Sequence, residues 1–391
     1  MDLTKLTEKI DKEAVELRRK IHQNPELSFE EVETTKLLED ELSQVEGLEI
    51  IKDGLKTGLI VILRGDKPGK TIALRADMDA LPIQEETGLP FASQNKHVMH
   101  ACGHDIHTSV LFGAAKVLSH YKDQIKGNIK FFFQPAEEKL GGAVALMKAG
   151  CMKDPDVDAA VAVHTWPNLE GGKVGLKKGP TTASADEIIV KVRGKGGHAA
   201  HPEDCIDPVI ISGYILTKIQ TAVSRETSPL DPIVVTVGTL NAGTASNIIP
   251  DEVVMTGTVR TVKHKTRMEI FDRLERIIKH TAISMGGEAE LQVNKGVPPL
   301  VADENVVDTI ERSAVEMLGE ENVVKLDEPS MGGEDFAFYL ENTPGAMIRL
   351  GTANEDDNSR ISLHNARVIF DERSIGAGIK VLVKTALNFL E

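Results

Sequence analysis

Five residues able to bind a soft or borderline metal crowd into the run HVMHACGHDIHTS. His97, His100, Cys102, His104 and His107 fall within eleven positions of a chain that has only 12 histidines. Imidazole and thiolate are ligands for zinc, manganese, cobalt and nickel class ions. An isolated CxH or HxxxH is more often structural, but a cluster this dense points to a metal site. Cys102 and His104 stand two apart, ahead of an apolar helical stretch, so an extended or tightly turned segment aims both into one cavity. His97 and His107 are expected around the metal rather than on it.

A second signal is FFFQPAEE, where Glu137 and Glu138 follow an apolar strand. The carboxyl end of a strand and the first turn of the next helix are where α/β enzymes place their sites. Adjacent carboxylates can divide the labour, one binding metal while the other serves as general base to a water. The doublet equally suits the positive end of a helix, so both readings stand at this point. His164 ends the apolar strand of AVAVHTW, and His364 lies in the loop of ISLHNARVIF. In RADMDALP, Asp77 and Asp79 are candidates to accept the free N–H of a metal-bound histidine and set its tautomer. One Cys, three His and one Glu (Cys102, His104, Glu138, His164 and His364) are ligands enough for two metals sharing a bridge. Such a pair polarises a carbonyl and activates water, as amide hydrolysis requires.

These residues need elements to carry them. GLIVILRG, TIALRAD, NIKFFFQ and DAAVAVH read as strands, and HTSVLFGAAKVLSHY and EEKLGGAVALMKAG as helices, an alternation that predicts an α/β sheet with helices on both faces. Pro25 is expected to end the first helix near Asn24. From about Pro180 to Pro298 the order becomes β-α-β-β-α-β, the pattern of a ferredoxin-like domain. Strand and helix alternation then resumes, with Asp303 as an expected helix cap. The predicted architecture is α/β, with a split catalytic domain (residues 1–179 and 297–391) whose mixed sheet is flanked by helices. A ferredoxin-like α+β domain (residues 180–296) is inserted into it. Three consecutive domains are the competing arrangement.

Composition bounds the partners. The 391 residues can bury a large core without disulfide staples. With 60 acidic against 45 basic residues the net charge is −15, which disfavours general affinity for nucleic acid or anionic lipid. Three cysteines fit a reducing compartment better than secretion. No run reaches the roughly 20 apolar residues of a membrane span, so a cytoplasmic protein with a small-molecule substrate is expected. A dinucleotide enzyme loses ground because the glycines of RGKGGHAAH do not form GxGxxG opening a βαβ unit. Neither a GxxxxGK[ST] run nor a GxSxG elbow is present.

RADMDALPIQE, MHACGHDIHTS, FFFQPAEE, GKGGHAA, TASNIIPDE, GTVRT and SMGGEDFAFY together resemble the amidohydrolase branch of the aminoacylase and carboxypeptidase metallopeptidase family. That branch includes hippurate hydrolase, N-acetyldiaminopimelate deacetylase and the plant hydrolases of indole-acetyl amino acids. The resemblance implies an enzyme cleaving N-acyl amino acids with two divalent ions, most plainly manganese, with zinc, cobalt or nickel as alternatives. Cys102, His104, Glu138, His164 and His364 would be the ligands, with the Cys102 thiolate bridging. Glu137 would be the general base and Asp77 a support. The broader family has a histidine two before the aspartate; Arg75 stands there, so its ligand set does not transfer. The resemblance also implies that His198, on the insert, steadies the oxyanion of a partner subunit's site. Asn247 and Arg260 would hold the substrate carboxylate. Arg260 ends a strand, where its guanidinium offers a bidentate fork, although a surface charge and, for Asn247, a turn residue are the plainer explanations. Gly332, Gly333, Glu334 and Asp335 are expected to shape a pocket wall. A homodimer through the insert's unpaired edge strands follows as an expectation. A dipeptidase or carboxypeptidase, or a relative that binds metal without catalysis, are the alternatives.

Overall fold

The computed structural model describes residues 3–391, which form two compact units. One contains the chain through Gly179 with Ala302–Glu328 and Phe338–Glu391; the other contains Pro180–Val301 and Pro329–Ala337. Each has its own apolar cluster.

The first unit is built on an eight-stranded mixed sheet. Its centre is four parallel strands in the order Lys126–Gln134, Lys67–Asp77, Ala159–Glu170 and Gly345–Ala353. Strands covered on both faces read as continuous apolar runs, and Phe131, Phe132, Phe133 and Ala159 to Val163 are all buried. Leu48–Ile51 and Leu59–Arg64 extend one side antiparallel. Helices Leu3–Gln23, His104–Ser119 and Arg373–Leu390 pack against one another, and Glu304–Leu318 packs on the last of these. The register pairs Asp77 with Gln134 and Arg75 with Ala162. Asp77 and the QPAEE turn therefore leave the sheet along the same carboxyl edge, where open α/β sheets hold ligands; His164, expected to end its strand, lies level with them but inside Ala159–Glu170, which runs on beside Gly345–Ala353.

Two local expectations are corrected. The helix expected from His107 begins at His104, so His104 is helical while Cys102 stays in the turn before it. The helix expected across EEKLGGAVALMKAG is confined to Gly142–Lys148. Glu137 to Leu140 form a turn with Ala136 and Leu140 at positive φ, so the acidic doublet does not sit on a helix terminus. Gly142 permits the turn to fold back on the end of the strand, since a Cβ there would lie 1.6 Å from the Pro135 carbonyl oxygen.

The second unit has a four-stranded antiparallel sheet in the order Ile233–Ala242, Glu252–Thr261, Asp186–Arg193 and Glu288–Asn294. In chain order that is 2-3-1-4 with helices Pro208–Lys218 and His264–Ser284 between strands, the ferredoxin-like arrangement. Its Ile, Val and Met side chains alternate inward against those helices.

Candidate metal centre

The turn carrying Cys102 depends on one glycine. Gly103 has φ 81°, and a Cβ there would come within 2.5 Å of the Thr165 side chain, so only glycine lets this turn lie on the strand. Thr165 fastens it by donating its hydroxyl to the Cys102 carbonyl at 2.7 Å. The backbone N–H of Thr165 donates to His107 Nε2 at 2.7 Å, and His107 Nδ1 lies 2.5 Å from Asp77 Oδ1. This assigns His107 the tautomer with its proton on Nδ1. Burial lowers its pKa, keeping the ring neutral. With both ring nitrogens engaged, His107 joins the strand bearing Asp77 to the strand bearing His164.

Asp77 is fully buried, and although burial opposes ionisation, Arg75 and His104 hold its carboxyl well below the usual range. Arg75, at the place where the broader family has histidine, donates to Asp77 Oδ2 at 2.7 Å and to Gln134 Oε1 at 3.0 Å. His104 pairs instead with Asp79: Nδ1 lies 3.2 Å from Asp79 Oδ1. That carboxylate also accepts the backbone N–H groups of Glu137 at 3.0 Å and Glu138 at 3.1 Å, and the Ser28 hydroxyl at 2.6 Å. Asp79 therefore orients a histidine and fixes the acidic turn together. Glu31 supports the turn from below, accepting the Ala136 N–H at 2.8 Å and the Thr57 hydroxyl at 2.8 Å. Asp79 was legible only as a possible imidazole acceptor, and Glu31 carried no sequence signal.

With these supports, the five nominated donors converge. Cys102, His104 and His164 form one group of potential ligand atoms lying within 4.8 Å of one another, and Cys102, Glu138 and His364 form another. The sulfur is common to both. His164 donates Nδ1–H to the Thr165 carbonyl at 2.8 Å, which leaves Nε2, 3.8 Å from Cys102 Sγ, as the free lone pair. His364, at φ 62°, is tied to the cysteine turn by its N–H to the Ala101 carbonyl at 3.0 Å. Its Nε2 lies 3.2 Å from Glu138 Oε1.

The donors fit a cation. Nε2 of His104 is a buried polar atom with no hydrogen-bond partner, and Oε1 of Glu138 is buried with His364 Nε2 beside it at 3.2 Å but outside hydrogen-bond geometry, a costly state for both. Burial pushes the Cys102 thiol up to about 12, so the thiolate needs a positive charge beside it. Burial and Arg349 keep His164 well below its ordinary value and hence neutral, as a ligand must be. His104 is held well above its ordinary value: burial lowers it, but Asp77 and Cys102 outweigh that. Thiolate, imidazole and carboxylate together suit a zinc, manganese or cobalt class ion. Glu137, buried beside Glu138, belongs to a further group with His104 and Glu138.

Behind the centre, Asp105 accepts Arg18 Nε at 2.6 Å and lies 2.8 Å from His22 Nδ1, anchoring the start of helix His104–Ser119 to helix Leu3–Gln23.

In the second unit, the two-residue strand Gly197–His198 pairs with Ile248–Ile249, and the Ala199 N–H donates to the Asn247 carbonyl at 3.1 Å. His198 and Asn247 are thereby neighbours, both exposed. Arg260 lies on Glu252–Thr261 opposite Val234. Gly333 packs close to it, since a Cβ there would sit 3.3 Å from Arg260 Nη1.

Residues 73–388 match peptidase family M20/M25/M40. The chain is 39% identical over 386 residues to N-acetyl-L-cysteine deacetylase of Bacillus subtilis (strain 168), covering 98% of this chain and 89% of that protein. It is 38% identical over 379 residues to thermostable carboxypeptidase 2 of Saccharolobus solfataricus, covering 96% and 95%. Among solved structures, the YXEP protein of Bacillus subtilis, described as a dinuclear metal binding peptidase from M20 family, superposes with a TM-score of 0.87 at 34% identity. That comparison covers 98% of this chain and 99% of the other. Family match, full-length relatives and shared fold agree, and the chain belongs to peptidase family M20/M25/M40.

Proposed function

We propose that this chain is a metal-dependent amidohydrolase that cleaves N-acyl amino acids to a carboxylate and a free amino acid. One observation carries the reading: a single sulfur, Cys102 Sγ, belongs to two three-donor groups beside the buried carboxylate of Glu137. Cys102, His104, Glu138, His164 and His364 would hold two divalent ions, with manganese as our assignment. Bound there, the ions would supply Lewis acidity to the amide carbonyl and to a water. Glu137 takes a proton from the attacking water as its oxygen bonds to the carbonyl carbon. It returns that proton to the nitrogen as the C–N bond breaks. Asp77 and Asp79 hold the imidazoles around the reaction. His198 donates to the developing oxyanion, and Asn247 and Arg260 take the substrate carboxylate. In this reading residues 1–179 and 297–391 carry catalysis and residues 180–296 close over substrate and dimerise. The unpaired edge strand Ile233–Ala242 and the exposed Val209, Ile210 and Tyr214 support a homodimer. Three free cysteines support a cytoplasmic site of action; no helix among the described residues is long and apolar enough to cross a membrane.

The resemblance to a thermostable carboxypeptidase favours peptide cleavage as a second reading. Amino-acid release from N-acetyl and N-benzoyl amino acids and from matched dipeptides, with manganese, zinc, cobalt and nickel supplied separately, decides between them. Turnover of the N-acyl substrates is expected. Turnover of dipeptides with none of the N-acyl compounds would replace our reading with the second.

A further inference from the structure

The strand that carries His164 and the loop that carries His364 together line one apolar cavity. His164 and Trp166 are two apart on the strand Ala159–Glu170 and so project to the same side of it. Trp166 and Pro167 form one wall of a pocket of about 390 Å³, and Ile361, Ser362 and Leu363 form the other, with His364 at its edge. Ile361 and Leu363 are packed on the core of the same unit, so that wall is firmly seated. The Arg349 guanidinium carbon lies 4.7 Å from the Trp166 ring centroid, which fixes the indole by cation–π contact. A larger surface cavity of about 630 Å³ lies among Glu41, Glu46, Asp66 and Lys122 and contains none of the metal donors.

Resting on the amidohydrolase reading above, we infer that the Trp166–Leu363 pocket binds the acyl group of the substrate and selects bulky apolar or aromatic acyl groups over acetyl. An N-acyl amino acid carries its carboxylate on the nitrogen side of the scissile bond, and a charge is not stable in an apolar pocket. The uncharged acyl side therefore belongs there. Size points the same way: an apolar cavity of about 150 Å³ suffices for a benzene ring, so a benzoyl group fits and an acetyl group leaves most of the space unfilled.

Trp166 is the chain's single tryptophan, so its fluorescence reports occupancy independently of turnover. Metal-loaded protein titrated with benzoate should show a fluorescence change with a Kd at least tenfold below that for acetate. In Ser362→Phe, which fills the pocket, the ratio of kcat/KM for N-benzoyl over N-acetyl forms of one amino acid should fall at least tenfold. Ile361→Ala, which adds no bulk, should weaken benzoate binding in the same direction. Equal responses to benzoate and acetate with an unchanged kcat/KM ratio would overturn the inference. So would a Ser362→Phe variant that alters preference among leaving amino acids and not among acyl groups. Preferential benzoate binding by a protein that cleaves no N-acyl amino acid would uphold the pocket while removing the amidohydrolase reading.

Discussion

His104 Nδ1 lies 3.2 Å from Oδ1 of Asp79, and the same carboxylate accepts the backbone N–H groups of Glu137 and Glu138. One side chain thus sets the ring angle of one nominated donor and the position of the acidic turn. Asp79→Asn keeps the shape but turns an NH2 group toward an N–H or the ring. Metal affinity is expected to fall about 10- to 100-fold, the usual loss when a ligand's supporting partner is removed. Competition with a chelating indicator measures it, and an unchanged affinity would assign Asp79 to the turn alone.

Cys102→Ser should lose the shared ligand of both donor groups. A buried serine does not ionise as a thiol does beside a metal, so the metal-to-protein ratio measured by elemental mass spectrometry should drop and activity with it. Retention of full occupancy and activity would remove the bridging assignment.

Glu137→Gln should retain metal and lose about 10²- to 10⁴-fold in kcat, the range general acid–base catalysis supplies. Wild-type turnover at confirmed occupancy would exclude Glu137 as the base.

Mixing Glu137→Gln with His198→Ala subunits tests action across a dimer. If His198 serves the partner's site, the heterodimer has one site with both lesions and one with neither, and activity returns. Two inactive single variants giving an inactive heterodimer, its composition confirmed by mass, would confine His198 to its own subunit.

The Arg18–Asp105 pair should govern stability in acid. Burial raises the Asp105 pKa, but Arg18 and His22 outweigh it and leave the carboxyl below its ordinary range. A depressed folded pKa contributes stability that is fully present above the unfolded value, about 3.9, and is lost as pH falls through the folded one. Urea midpoints should therefore decline below about pH 4, and less so in Asp105→Asn. Arg18→Met leaves the buried Asp105 carboxylate with His22 as its remaining charged partner and should cost about 3–5 kcal/mol at neutral pH. A loss below 1 kcal/mol would show that His22 alone compensates Asp105.

Much of this protein was determined by local sequence. Apolar runs such as FFF and AVAV marked the central strands, because a strand buried on both faces has no polar positions to interrupt it. Cys102, His104, Glu138, His164 and His364 were legible as candidate donors because ligand chemistry belongs to side-chain type, and the fold brings them together although His164 lies within a strand and His104 on a helix. The β-α-β-β-α-β order likewise followed from periodicity. Tertiary structure decided what depends on distant partners. Sharing of Cys102 Sγ between two donor groups rests on Gly103 fitting against Thr165, 62 residues away. The choice of Asp79 for His104 and of Asp77 for His107 follows from strand register and from where the helix begins, neither of which is encoded within RADMD. The acidic doublet lies in a turn rather than its expected helix, held by the Asp79 carboxylate and by the close approach of Gly142 to the Pro135 carbonyl, contacts no periodicity reveals. Donor identity is a property of single residues, whereas donor geometry is set by the non-local packing that closes turns on neighbouring strands.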